Sequence, residues 1–86
     1  MNMAMPISLY ILEDDPNAAS ALRSLIDGAE GFQLLGVFPA AAEFFANAER
    51  NADVLLLDFE LPDQNALSVL RRIKTMPHLN EMKVLI

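Results

Sequence analysis

The chain has 86 residues, enough for one domain, and its twelve acidic and six basic side chains give a net charge of −6. This acidic balance argues against a nucleic-acid surface, which needs clustered Lys and Arg. There is no cysteine and no apolar run near the roughly 20 residues that span a bilayer, so a disulfide framework, a thiolate metal site and membrane contact are not expected. The composition favours a cytoplasmic protein.

Residues 1–6 are predicted to be an N-terminal tail, with neither the basic residue nor the apolar stretch of a secretory signal. A first strand is expected over residues 7–12. Asp15 and Pro16 then form an N-cap and first-turn pair for a helix that Gly28 ends. The apolar residues at helical spacing in this segment are Ala18, Leu22, Leu25 and Ile26.

A second strand is expected over residues 32–37, and a second helix from Pro39 through Glu49. The third strand, Val54 to Leu57, is continuously apolar rather than alternating. That pattern is typical of a strand covered on both faces in a parallel sheet.

Asn65 can cap a third helix, which Pro77 ends, and a fourth strand is expected over residues 83–86. In the third helix the residues predicted to face the core are Leu67, Leu70 and Ile73, and those predicted to face water are Arg71, Arg72 and Lys74. Strands that alternate with helices predict an α/β fold, a parallel sheet with helices on both faces.

The acidic residues are unevenly placed, since six of the twelve lie in residues 13–15 and 58–63. Glu13 and Asp14 follow the first strand, and Asp58 follows the third. In an open parallel sheet, ligands bind beyond the carboxyl ends of the strands. If these two strands are neighbours, three carboxylates converge, and a hard cation such as Mg²⁺ would relieve their repulsion.

After Asp58 the chain is predicted to turn sharply at Pro62, so that the Glu60 carbonyl can point back toward the metal. Other polar residues have simpler interpretations. Asp15 is expected to cap a helix and Asp63 to occupy a turn. Those expected to lie away from the site are Asp53, at the start of the third strand, and His78, in a solvated loop.

Two motifs resemble those of the response-regulator receiver domains of two-component systems. They are residues 10–16, Tyr-Ile-Leu-Glu-Asp-Asp-Pro, and residues 54–63, Val-Leu-Leu-Leu-Asp-Phe-Glu-Leu-Pro-Asp. The resemblance covers residues 7–86 and implies a flavodoxin-like (CheY-like) doubly wound sheet. The segment Leu34 to Val37 is most similar to the NarL/LuxR-type branch.

The resemblance implies that Asp58 is a phosphoacceptor, which takes a phosphoryl group from a histidine kinase or a phosphotransfer protein. It makes Asp14 a direct Mg²⁺ ligand, lets Glu13 act directly or through water, and assigns the Glu60 main-chain carbonyl to the metal. Such a domain catalyses its own phosphorylation and is not expected to be a turnover enzyme.

The family's pattern continues past strand four, where this chain stops, so helix four, strand five and helix five are not expected here. The family's switch Ser or Thr and its strand-five Lys have no counterpart, since Lys83 precedes strand four and Lys74 lies on the third helix. An uncovered strand four predicts a homo-oligomer or a strand-exchanged dimer for these 86 residues.

Two other functions remain open at this stage. The chain could be a degenerate or fragmentary receiver that acts only as a protein-interaction module, as the missing Lys and hydroxyl would suit. It could also be a TOPRIM-like Mg²⁺-dependent catalytic domain, a fold that also places Glu after one strand and an acidic pair after another. That fold usually has Asp-x-Asp, which Asp58-Phe59-Glu60 only approximates.

Overall fold

The computed structural model describes residues 5–59 and 61–86. In that part of the chain four strands alternate with three helices, in the predicted order. The strands are β1 (Ile7–Leu12), β2 (Phe32–Phe38), β3 (Val54–Leu57) and β4 (Lys83–Leu85). The helices are α1 (Pro16–Asp27), α2 (Ala41–Asn47) and α3 (Ala66–Lys74).

The four strands form one parallel sheet in the order β2-β1-β3-β4. The strands β1 and β3 are therefore central neighbours, and Leu12 at the end of β1 lies opposite Leu57 at the end of β3. The β1–β2 register shifts between Leu9 and Tyr10, where β2 has one extra residue. This arrangement confirms the predicted parallel α/β sheet, and its strand order is that of a flavodoxin-like fold.

One face of the sheet carries the main core, which α2 and α3 cover. Phe44 of α2 and Val69 of α3 are fully buried there with Leu55 of β3. The Phe44 ring lies edge-on to Tyr10, with ring centroids 5.4 Å apart, and 5.7 Å from that of Phe38. These packed aromatic rings bury a large apolar area on this face.

The opposite face packs against α1. Leu22 of this helix lines a groove together with Ile11, Leu56 and Leu85. No residue of α1 is buried, and Leu25, one of its apolar residues at helical spacing, is 70% exposed.

The third helix is rotated relative to the prediction. Leu67, expected in the core, is 56% exposed, whereas Ala66 and Val69 are buried along with Ile73. Each residue advances about 100° around a helix, so Leu67 lies roughly 200° from Val69 and faces solvent. Leu70 is half-buried, at the edge of the core.

Most helix ends follow the predicted residues. Asp15 accepts a hydrogen bond from the Asn17 N–H, and Asn65 accepts one from the Ser68 N–H. The second helix is shorter than predicted because it begins at Ala41, after Ala40, whose methyl side chain cannot cap it. Strand β4 likewise ends one residue early, at Leu85.

None of the described helices is long and apolar enough to cross a bilayer. The division into a tail at 1–6 and a domain at 7–86 stays a prediction, and residues 1–4 lie outside the described part of the chain.

Candidate functional site

The site lies where the two central strands end. Glu13 and Asp14 follow β1, and Asp58 follows β3, as the sequence predicted. The Asp58 N–H donates to the Leu12 carbonyl at 3.0 Å, and the Glu13 N–H donates to the Phe38 carbonyl at 3.0 Å. These hydrogen bonds extend the sheet by one residue and hold the strand ends β1, β2 and β3 together.

Three carboxylates meet at this edge of the sheet. Glu13, Asp14 and Asp58 each place an oxygen within 4.8 Å of the others, with Glu13 and Asp58 half-buried and Asp14 exposed. The same three residues were predicted to converge from their positions after the first and third strands.

The environment of Glu13 disfavours its charged form. Partial burial raises the pKa of its carboxyl group, and a hydrogen bond from the Asp15 N–H opposes that effect. A hydrogen bond with the Asp58 carboxyl group and the negative charges of Asp58 and Asp14 raise the pKa further. The cluster therefore repels added negative charge and attracts a cation.

The donor set fits a hard divalent cation. Three carboxylates that converge from two strand ends suit Mg²⁺, which binds through a few oxygen ligands and keeps several waters. Glu60, whose carbonyl was expected to be a fourth ligand, lies outside the described residues. Its role stays a prediction.

An apolar groove of about 420 Å³ opens beside the cluster. Its walls include the half-buried Leu22 and Leu56, and Glu13 and Asp58 border it. Phe59, directly after Asp58, is 65% exposed at this groove. A group that reaches Asp58 from this side would therefore pass over apolar surface.

The segment after Asp58 is held by both apolar and polar contacts. Leu61 is buried, and the Ala66 N–H donates to the Phe59 carbonyl at 3.0 Å. The Asp63 carboxylate accepts hydrogen bonds from the Ala41 N–H at 3.0 Å and the Ala42 N–H at 2.8 Å.

Asp63 thus caps α2 from a distant part of the chain, a role that its predicted place in a turn did not include. Desolvation acts to raise the pKa of Asp63, but hydrogen bonds from the Ala42 and Ala41 N–H groups outweigh it and lower that pKa. The one signal in the sequence was indirect, since a helix that starts after Ala40 lacks a capping side chain of its own.

Other polar residues lie away from the cluster. Asp53 accepts hydrogen bonds from the Ser8 N–H at 2.9 Å and the Ser8 hydroxyl at 3.2 Å, at the amino ends of β1 and β3. Lys83 is the first residue of β4 and does not precede the strand, but it pairs with Val54 at that same end, away from the cluster as predicted. Arg72 was expected only to be solvated; it is exposed, but its guanidinium also lies 4.1 Å from the centre of the Phe45 ring.

The sheet order and the acidic cluster at its carboxyl edge are those expected from the resemblance to receiver domains. The family described as "Response regulator receiver domain" matches residues 9–86. The chain belongs to this family, whose members act as phosphoacceptors in two-component signalling. This membership selects the receiver over the TOPRIM-like alternative.

Two curated proteins are similar in sequence. One is "Protein-glutamate methylesterase/protein-glutamine glutaminase 5" of Myxococcus xanthus, 32% identical over 74 residues, which are 85% of this chain and 21% of that protein. The other is "Probable C4-dicarboxylate response regulator DctR" of Halalkalibacterium halodurans, 29% identical over 69 residues, which are 79% of this chain and 30% of that protein. The chain thus spans less than a third of either relative.

Two solved structures of RcsB from Salmonella enterica serovar Typhimurium have a similar fold. Both are bound to a promoter in the presence of the phosphomimetic BeF₃⁻. The rprA complex has a TM-score of 0.78 at 20% identity, over 91% of this chain and 45% of that one. The P1flhDC complex has a TM-score of 0.77 at 21% identity, over 91% and 40%. At this identity the likeness shows the fold alone, and the branch indicated by residues 34–37 stays a prediction.

Proposed function

We propose that this chain accepts a phosphoryl group on Asp58 from the phosphohistidine of a histidine kinase or a phosphotransfer protein, with Mg²⁺ as its cofactor. One observation carries the proposal: in a chain of the receiver family, Asp58 extends a central strand into a cluster with Glu13 and Asp14, their oxygens within 4.8 Å. The proposed localisation is the cytoplasm, where such a donor would be met.

The transfer is a substitution at phosphorus. A carboxylate oxygen of Asp58 attacks the phosphorus atom in line, a P–O bond forms, and the P–N bond to the donor imidazole breaks. The electron pair of the broken bond stays on the imidazole nitrogen, which takes up a proton from water. The product is an acyl phosphate on Asp58 and a neutral histidine on the donor.

The other two carboxylates prepare the site for this step. Asp14, exposed at the tip of β1, would hold Mg²⁺ directly, together with Asp58 and the Glu60 carbonyl. Glu13, whose pKa is raised, would act directly or through water and lose any proton it shares with Asp58. When bound, the ion offsets negative charge on the transferring group.

The edge of β4 supports a proposal about assembly. Leu85 and Ile86 are 57% and 66% exposed, and among the described residues β4 pairs with β3 alone. An apolar edge strand pairs readily with another chain. The 86-residue chain by itself would therefore form a homo-oligomer or a strand-exchanged dimer, and a folded monomer at high concentration in analytical ultracentrifugation would contradict this.

The interaction-module alternative makes a different prediction. Lys83 lies at the far end of the sheet from Asp58, so among the described residues no Lys completes the site. A chain that acts only by binding would keep its partners after Asp58→Asn and would take up no phosphoryl group.

The test is phosphorylation by a small donor. The chain, and the natural full-length protein, are incubated with Mg²⁺ and acetyl phosphate and followed by intact mass; beryllofluoride binding is followed by calorimetry. Labelling and binding are expected in the wild type and in Asp53→Asn, whose carboxyl group lies at the opposite end of β3. Both should be lost in Asp58→Asn. A full-length protein that stays unlabelled with Asp58 intact would refute the proposal.

A further inference from the structure

Asp63 is the feature of the loop after Asp58 that the proposed chemistry does not use. Its carboxylate spans two loops, from the segment after β3 to the first turn of α2. Ala41 is fully buried, so water cannot replace the carboxylate at its N–H, and the N-cap residue Ala40 makes no side-chain hydrogen bond.

The hydrogen bonds around Asp63 close a ring through the site. The Glu13 N–H donates to Phe38 at the end of β2, which leads within three residues into α2. The Ala41 and Ala42 N–H groups donate to Asp63. The chain itself connects Asp63 back to Asp58. The Asp58 N–H donates to the carbonyl of Leu12, the residue before Glu13, and this hydrogen bond closes the ring.

This ring joins the two strand ends that carry the acidic cluster to the loop between β2 and α2. Leu61 of this loop is buried in the same core cluster as Ala41 and Phe44 of α2. Among the described residues, however, only the Asp63 carboxylate joins the loop to α2 by hydrogen bonds, and without it the ring is open. Loss of one tie allows the Asp58 carboxylate to shift relative to Glu13, and ligand placement tolerates only small errors.

We propose that Asp63 is a positioning residue for the Asp58 site, because it ties the loop after Asp58 to the first turn of α2 and thereby keeps Asp58 in place beside Glu13. It acts through the backbone and touches neither the metal nor the phosphoryl group. The proposal deepens the proposed function and rests on it for its effect on phosphorylation.

The test compares Asp63→Ala with Asp53→Ala. Both substitutions remove a carboxylate that accepts two hydrogen bonds from a distant part of the chain, at opposite ends of the sheet. The first readout is amide hydrogen exchange at Glu13 and Asp58, corrected for the global stability of each variant. Asp63→Ala is expected to speed exchange at both amides, and Asp53→Ala to leave it unchanged.

The second readout is function, measured as Mg²⁺ affinity by calorimetry and as the initial rate of labelling by acetyl phosphate. Asp63→Ala should lower both about 10-fold, the lower end of the range for groups that orient metal ligands. Asp63→Asn should lose less, since its amide oxygen still accepts one of the two N–H groups. Asp53→Ala should match the wild type.

The outcomes separate the two claims. Equal exchange at Glu13 and Asp58 in both Ala variants, or wild-type Mg²⁺ affinity and labelling in Asp63→Ala, would overturn the positioning role while leaving the phosphoacceptor intact. A wild-type protein that takes up no phosphoryl group, with exchange still faster in Asp63→Ala than in Asp53→Ala, would instead overturn the proposed function alone. If either Ala variant does not fold, Asp63→Asn and Asp53→Asn give the same comparison.

Discussion

Repulsion among the three carboxylates makes the site a source of instability when no divalent cation is bound. Two unit charges 4.8 Å apart, the span of the cluster, repel by about 0.9 kcal/mol in the dielectric of water and about 3.5 kcal/mol at an effective dielectric of 20. Asp14 is exposed and Glu13 has a raised pKa, so the lower figure applies. Asp58→Asn in EDTA should therefore raise the free energy of unfolding by about 1–2 kcal/mol.

Mg²⁺ should offset most or all of this difference in stability. A ligand that binds only the folded state at ten times its Kd adds about 1.4 kcal/mol to the free energy of unfolding. The wild type should gain this stabilisation, whereas the Asp58→Asn variant should lose most of it.

The assay is urea unfolding at pH 7 followed by circular dichroism, with EDTA or with Mg²⁺. Glu30→Gln is the control, since it removes one negative charge from an exposed turn next to Gly31, which bonds to the amino end of β1. An Asp58→Asn variant less stable than the wild type in EDTA, or an equal response of both to Mg²⁺, would refute the charge argument.

Two further predictions concern folding rather than the site. Phe44→Ala removes a fully buried ring and should lower the free energy of unfolding, measured with urea, by about 3–5 kcal/mol. Phe45→Ala removes a half-buried ring beneath Arg72 and should lower it far less. Equal losses in the two variants would contradict the assigned core. The lowered pKa of Asp63 stabilises the fold above the carboxyl group's ordinary pKa, and this contribution is lost as pH falls through the folded-state value. Asp63→Asn should flatten that part of an acid-unfolding curve, and a variant that follows the wild type would show that the cap is not formed.

The sheet and the acidic cluster were predictable because both depend on short-range patterns. Val54 to Leu57 is a continuous apolar run, and each acidic stretch directly follows a strand. Since parallel strands share a carboxyl edge, adjacency of β1 and β3 was enough to bring Glu13 and Asp58 together.

The misses depend on contacts that a local pattern does not contain. Leu67 and Val69 are both apolar, and the side of α3 that faces the sheet was settled by packing against the core rather than by hydrophobicity. Asp63 caps a helix that begins 22 residues earlier in the chain.

The most direct measurement of the central claim is phosphotransfer from a histidine kinase phosphorylated on its histidine, with the acceptor site located by tandem mass spectrometry of the full-length protein. We predict that the phosphoryl group is found on Asp58 and that transfer requires Mg²⁺. Glu13→Gln and Asp14→Asn should each lower the affinity of the protein for Mg²⁺, so that transfer needs a higher concentration of the ion. A phosphoryl group found on another residue, or transfer undiminished in Asp58→Asn, would contradict the central claim.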